Sequence, residues 1–256
     1  MKHYEQLLLN ECFTYADACS LVGNKNSANS FLQSYLKNGY IQSVKRNLYV
    51  VMNIANKTPL ANRYEIGSHI NETSYISHFS ALSYYGYTNQ VVNEVTISSD
   101  SVFRNFEYSG IKYIFLKSRI NEGVITTYDE VKISDLERTV IDCINDFEKV
   151  GGLEELLRSL SLIPYLDEKK LIKYLTTYDK QALTQKTGYI LEHFKHELNI
   201  SDDFFDACSS NIKNSIKYFT KNKGKERTKY NSKWQMFVPK DLLSIIGEGD
   251  NKDDTV

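Results

Sequence analysis

The chain has almost no net charge. Its 31 Lys and Arg against 32 Asp and Glu leave −1 over 256 residues. That excludes a polycation that coats nucleic acid everywhere, so any polyanion must be met by a local patch. Long apolar runs are missing as well. Nothing approaches the roughly 18 apolar residues of a membrane span, and the leucines of MKHYEQLLLNECF, broken by Asn10 and Glu11, are too short a core for a signal peptide. Cys12, Cys19, Cys143 and Cys208 form no C-x-x-C pair. This argues against a zinc site or a disulfide scaffold and for a reducing cytoplasm.

The motifs of common enzymes are absent too. There is no G-x-x-x-x-G-K-[ST] loop and no G-x-G-x-x-G, and GEGDN near the end lacks the third glycine. Ser80, in SHFSALSYYG, sits in no G-x-S-x-G elbow and reads as a small residue that lets a helix pack closely. LEHFKHE places His193 and His196 three apart beside Glu192 and Glu197, a spacing unlike H-E-x-x-H, and reads as a solvated helix face. The expectation is a protein without catalytic residues, metal or cofactor. No internal repeat, low-complexity tract or heptad seam is visible.

What is present suits an ordinary globular chain, 41% hydrophobic and able to bury a real core. Pro59, one of three prolines, follows the polar stretch MNIANKT and suggests a linker at 53–59. We therefore expect a small domain at 1–57, a larger one at 58–247 and a frayed acidic tail at 248–256. In the first segment, KHYEQLLLNE reads as a helix with Tyr4, Leu7 and Leu8 on one face. FTYADACSLVG follows with Thr14 as N-cap and Gly23 as its end, and SANSFLQSYLKNG places Ala28, Phe31, Leu32, Tyr35 and Leu36 at helical spacing before Gly39. A two-stranded hairpin, YIQSV and LYVV, comes next. Asn47 occupies its turn, as one of the few non-glycine residues that tolerate positive φ, although Gln42 and Val44 would then share a face.

Three helices and a hairpin are the order of a winged helix-turn-helix, so the expected fold class is α+β, with this module followed by a larger mixed α/β domain. The third helix would then offer Lys25, Asn26, Ser27, Asn29, Ser30, Gln33 and Lys37 to DNA. Asn and Gln suit adenine edges, and Ser and Lys suit phosphate oxygens. Lys45, Arg46 and Asn47 at the hairpin tip would touch the adjacent backbone or minor groove. Lys2, Lys25, Lys37, Lys45, Arg46 and Lys57 outweigh Glu5, Glu11 and Asp17 in this segment. The same residues equally fit solvated helix and turn surfaces, and composition does not separate the two readings.

A second basic run lies late in the chain: Lys213, Lys217, Lys221, Lys223, Lys225, Arg227, Lys229, Lys233 and Lys240, opposed only by Glu226. Tyr218, Phe219, Tyr230 and Trp234 are interleaved with it. Phosphate neutralisation with base stacking, a flexible basic loop, and an acidic protein partner all fit. Between the two runs, SDLERTVIDCI reads as a helix with a Ser134 and Glu137 capping box, a buried stripe of Leu136, Val140, Ile141 and Ile144, and a surface pair Arg138 and Asp142.

Four of these blocks, in order, carry a family resemblance. FTYADACSLVG…SFLQSYLKNGYIQSVKRNLYVV, SYISHFSALSYYGYT, ISDLERTVIDCINDFEKVGGLEELL and KTGYILEHF resemble the winged-helix start, the Ser-Ala-Leu helix, the D-x-E-R-T helix with Gly-Gly, and the Gly-Tyr-x-Leu-Glu helix of the AbiEi antitoxins. The likeness is collinear from about residue 5 to 240, with Asn47 standing where the family's wing has glycine. It implies the antitoxin half of a type IV toxin-antitoxin system of abortive phage infection, opposing an AbiEii-like nucleotidyltransferase toxin without a stable complex. It also implies autoregulation, in which the winged helix represses the operon at inverted repeats, monomeric in solution and two copies on DNA. A ligand-responsive winged-helix transcription factor and a restriction-like nuclease remain as alternatives.

Overall fold

Thr14 shows how this sequence starts its helices. Its hydroxyl oxygen accepts the Asp17 amide N–H while the Asp17 carboxylate accepts the Thr14 N–H, a capping box that satisfies donors left open at a helix start. The helix ends at Gly23, whose φ of 90° few other residues adopt, and Asn24 at once caps the next helix. The structure is a computed structural model that describes residues 3–90, 92–149, 151–210, 212–213, 215–220 and 228–246. The chain divides into two compact units, the first formed by residues 1–76, 92–118 and 125–133, the second by 77–91, 119–124 and 134–256.

The first unit opens with α1 (Tyr4–Leu7), β1 (Cys12–Thr14), α2 (Tyr15–Val22), α3 (Lys25–Lys37), β2 (Ile41–Lys45) and β3 (Leu48–Val51). The expected two-stranded hairpin is a three-stranded antiparallel sheet, β1-β3-β2, because Cys12–Thr14 pairs along the free edge of β3. Three residues are too few to show a periodicity. The awkward sharing of a face by Gln42 and Val44 is resolved by a bulge between Ser43 and Lys45, which leaves Gln42 exposed and Val44 buried. Asn47 has a φ of 66°, as its place in the turn requires. Phe13, Ala18, Ala28, Phe31, Leu32, Ile41 and Val51 form the core. Leu8 and Leu36, expected on the buried stripes, are instead exposed, Leu8 because it lies just past the single turn of α1.

Residues 53–60 fold back on the hairpin: the Leu60 N–H bonds the Val51 carbonyl, the Asn53 N–H bonds the Thr58 carbonyl, and Met52 bridges to Pro59. Then come α4 (Arg63–Ser68), capped by Asn62 and Glu65, and β4 (Tyr75–Ile76), β5 (Glu94–Ser99), β6 (Phe106–Tyr108), β7 (Ile111–Lys117), β8 (Val124–Thr126) and β9 (Lys132–Ser134). They form a mixed sheet of order β6-β7-β5-β4-β9-β8. Val95, Ile97, Tyr113, Ile76 and Ile133 are fully buried in it.

The second unit contains α5 (His78–Tyr84), α6 (Leu136–Asp146), α7 (Gly152–Leu160), α8 (Glu168–Tyr178), α9 (Gln181–Glu192) and α10 (Asp202–Ser210). A small sheet completes it, with β12 (Met236–Pro239) between β10 (Lys217–Tyr218), parallel to it, and β11 (Thr228–Asn231), antiparallel. The expected capping box is absent. Asp135 caps α6 by accepting the Arg138 N–H, and the Ser134 hydroxyl pairs with Thr139. The pair expected on the surface is buried: Arg138 Nε donates to Asp142 Oδ1 at 2.9 Å with both side chains almost wholly enclosed. Arg138 Nη1 also donates to the carbonyls of Ile120 and Glu122, and the Tyr178 hydroxyl donates to Asp142 Oδ1, so groups remote in sequence compensate the buried pair, while Asp142 Oδ2 accepts no hydrogen bond among the described residues. The fold is mixed α+β, and among the described residues no helix is long and apolar enough to cross a membrane.

Candidate nucleic-acid interface

Two surfaces collect the residues that sequence pattern singled out, one on each unit. On the first, the amphipathic spacing of α3 turns Ala28, Phe31, Leu32 and Tyr35 inward and leaves Lys25, Asn26, Ser27, Asn29, Ser30, Gln33 and Lys37 exposed. Ser34, not singled out before, lies exposed among them. The helix KNSANSFLQSYLK contains no acid, and Lys25 stands in the first turn, where the helix dipole is already positive. A cation there does not help the helix, but it deepens a positive potential that suits a phosphate. Tyr15, also missed, ties α2 to this face: its hydroxyl donates to Asn29 Oδ1 at 3.0 Å. That bond is a detail that no periodicity contains.

The hairpin tip divides its cations. Arg46 and Asn47 are exposed. Lys45 is half-buried, its ammonium 4.9 Å from the Phe103 ring centre and 5.1 Å from that of Phe106, and burial pushes its pKa down. The hairpin is further held by the Tyr108 hydroxyl, which donates to Gln42 Oε1 at 2.6 Å. Of the expected basic pair, only Arg46 points freely outward.

On the second unit the basic run is sorted by the small sheet. Lys213, Lys229, Lys233 and Lys240 are exposed and Lys217 is half-buried; Lys221, Lys223, Lys225 and Arg227 lie outside the described residues, as do Lys2 and the 248–256 tail. Lys233 is engaged, since it donates to Glu192 Oε1 at 2.6 Å and lies over the rings of Phe205 and Trp234. The four interleaved aromatics do not act alike. Tyr218 and Tyr230 are exposed, whereas Phe219 and Trp234 are core residues at 2% and 0% exposure and cannot stack on a base. Trp234 lies against Gly188 of α9, where a Cβ would come within 2.1 Å of the indole, and its Nε1 donates to Glu192.

The other candidates fall into structural places. His193 Nδ1 meets the Tyr189 carbonyl at 2.8 Å, His196 and Glu197 are exposed, and Glu192 is held by Lys233 and Trp234. Among the described residues no group of three His, Cys, Asp or Glu is placed to hold a metal. Ser80 is buried in α5. All four cysteines are free, and burial raises the thiols of Cys12, Cys143 and Cys208. A cavity of about 610 Å³ opens among α8, α9 and α10, with Ile172, Leu175, Cys208 and Ile212 in its wall and Lys180 and Lys213 beside them. Burial lowers the Lys180 pKa, and the nearby cations Arg119 and Lys149 lower it further.

No protein-family model and no curated protein matches the chain. Its fold has a counterpart among solved structures. The crystal structure of the RV2827C protein from Mycobacterium tuberculosis is similar with a TM-score of 0.67 over 96% of this chain and 93% of that one, at 10% sequence identity. At that identity the likeness is one of fold alone.

Proposed function

We propose that the chain is an AbiEi-like antitoxin that binds operator DNA and represses its own operon. In this reading α1–β1–α2–α3–β2–β3 is a winged helix-turn-helix, with α3 as the recognition helix and the β2–β3 hairpin as the wing. The observation that carries it is the outer face of α3: a continuous exposed row of Lys, Asn, Ser and Gln, without an acid, on a helix joined to α2 by the two-residue turn Gly23–Asn24. Asn26, Asn29 and Gln33 would read base edges, while Lys25, Lys37 and Arg46 would hold phosphates. Inverted repeats would engage two copies of a protein that is monomeric in solution. Residues 58–247 would oppose a nucleotidyltransferase toxin encoded beside the gene, without a stable complex.

Fluorescence anisotropy with DNA from the chain's own promoter tests the first half of this reading. Specific binding should exceed that to a scrambled duplex, and Gln33→Ala should cost about 1–3 kcal/mol of that preference. Equal affinity for both duplexes would sink it. Co-expression with the adjacent reading frame tests the second half, since the antitoxin should restore growth. A second reading, a transcription factor that responds to a small ligand, is favoured by the half-apolar cavity at α8, α9 and α10.

A further inference from the structure

Two cavities of the second unit meet at the start of α9. The larger, of about 610 Å³, is walled by Ile172, Leu175, Cys208 and Ile212 together with Lys180 and Lys213. The smaller, of about 290 Å³, is lined by Asn145, Gln181, Leu183, Lys180, Lys186 and Lys217. Lys180 and Gln181 belong to both walls, so the two spaces adjoin. Gln181 also fixes the rim, since its amide donates to the Lys213 carbonyl and accepts the Lys213 N–H. The larger wall contains one acid, Asp179, and the smaller none among the described residues.

Helix stability does not account for Lys180. It is the N-cap of α9, makes no capping bond with its side chain, and stands at the helix end where a cation is unfavourable. Lys217 is half-buried and stands opposite Met236 in the register of β10 and β12, on the side of the small sheet that faces the core. Neither lysine is in an ion pair among the described residues. The ammonium of Lys186 lies over the Phe147 and Phe219 rings, which hold it without neutralising it. The acids nearest Lys180 are engaged elsewhere: Asp142 with Arg138 and Tyr178, Asp146 with Lys149, Asn145 and His78. Burial, and then the cations Arg119 and Lys149, lower the Lys180 pKa, as an excess of positive charge without a counterion does. A bare inorganic anion would leave the apolar wall uncovered, and a neutral apolar molecule would leave the lysines facing one another.

We propose that the two cavities form one site for a small amphipathic organic anion, with its phosphate or carboxylate head among Lys180, Lys186 and Lys217 and its apolar body along Ile172, Leu175 and Ile212. The site rests on the ligand-responsive reading above and names the class of ligand, but its occupancy is measured apart from any effect on DNA.

Isothermal titration calorimetry of the full-length protein with naphthyl phosphate and with naphthoate tests this. At least one of the two should bind saturably, once per chain, and at least about tenfold more tightly than naphthol, which lacks the charge, or inorganic phosphate, which lacks the body. The tighter of the two identifies the head group. Lys180→Gln should weaken that binding about tenfold, while Lys180→Arg, which keeps the charge, should stay within about threefold. Ile172→Ser, on an exposed part of the wall, should cost about fivefold for the naphthyl ligand and leave inorganic phosphate unaffected. Lys229→Gln, which lines neither cavity, should change nothing. Should Lys180→Gln lose its fold by circular dichroism, Lys213→Gln on the exposed rim takes its place. The proposal is overturned by no saturable binding of either anion, by equal affinity for naphthylmethylammonium, by a folded Lys180→Gln or Lys213→Gln variant that binds like the wild type, or by an equal loss in Lys229→Gln. Anisotropy of the promoter duplex with and without the anion separates the site from the reading it rests on. Saturable binding that leaves the duplex affinity unchanged upholds the site and removes the ligand-responsive reading.

Discussion

The ammonium of Lys45 rests 4.9 Å from the Phe103 ring. Its neighbour Arg46 is exposed, so two adjacent cations at one turn have different partners.

This difference is measurable if the hairpin contacts DNA. Arg46→Ala should weaken binding to any duplex and reduce the salt slope by about one, the amount expected for one lost phosphate contact. Lys45→Ala should leave that slope near the wild-type value and lower thermal stability instead, since it removes packing and a cation–π contact. Paired salt titrations and melts of the two variants check both halves. Equal slopes for Arg46→Ala and the wild type would remove the hairpin from the interface.

Arg138 should behave unlike an ordinary helix-surface arginine. Truncating it to alanine leaves Asp142 buried without its cation and strands the Ile120 and Glu122 carbonyls, which should cost about 3–5 kcal/mol. The pair Glu154 and Arg158 has the same spacing on α7 but lies nearer solvent, with Glu154 46% exposed. Glu154→Ala should cost about 0.5 kcal/mol or less. Urea midpoints for the two variants would separate them.

Gly188→Ala sets two effects of opposite sign against each other. Helix propensity alone favours alanine in α9 by about 1 kcal/mol. Against it, the new methyl would stand 2.1 Å from the Trp234 ring, which is fully buried and hydrogen-bonded to Glu192, so the ring cannot swing clear. Overpacking of this kind costs about 1–3 kcal/mol or more. A net loss of stability is expected in thermal or chemical denaturation, and a gain would refute the packing account.

Acid should act on the second unit through Asp146. Burial alone would raise its carboxyl, but His78 at 3.8 Å and hydrogen bonds from Lys149 and Asn145 hold it well below the usual carboxylate range. Because the folded value is the depressed one, the stabilisation is present above the unfolded value, about 3.9, and is lost as pH falls through the folded one. Asp146→Asn should therefore lower stability at pH 6 and flatten its decline below pH ~4. Urea midpoints measured across that range provide the check.

Local chemistry was legible where a feature is decided within a few residues. Thr14 with Asp17, Gly23 and Asn47 each announce a cap, a stop or a turn, and the spacing of Ala28, Phe31, Leu32 and Tyr35 shows which side of α3 is buried. What could not be read depends on partners far along the chain. Strand β1 exists because β3 has an edge to pair with. Arg138 looks like a surface residue until Tyr178 and the 120–122 carbonyls arrive around it. Trp234 looks like a ligand for bases until Gly188, 46 positions earlier, offers it a flat place in the core. Lys45 looks like a twin of Arg46 because nothing within its hairpin reveals Phe103.

Trp234 is also the chain's one tryptophan. Excited near 295 nm, the protein therefore has a single emitter, sealed from water in the second unit. Its spectrum should shift to the red when that unit opens and stay silent while the first unit unfolds. Emission set beside far-ultraviolet circular dichroism, which sees both units, would show whether they melt as one body or in turn.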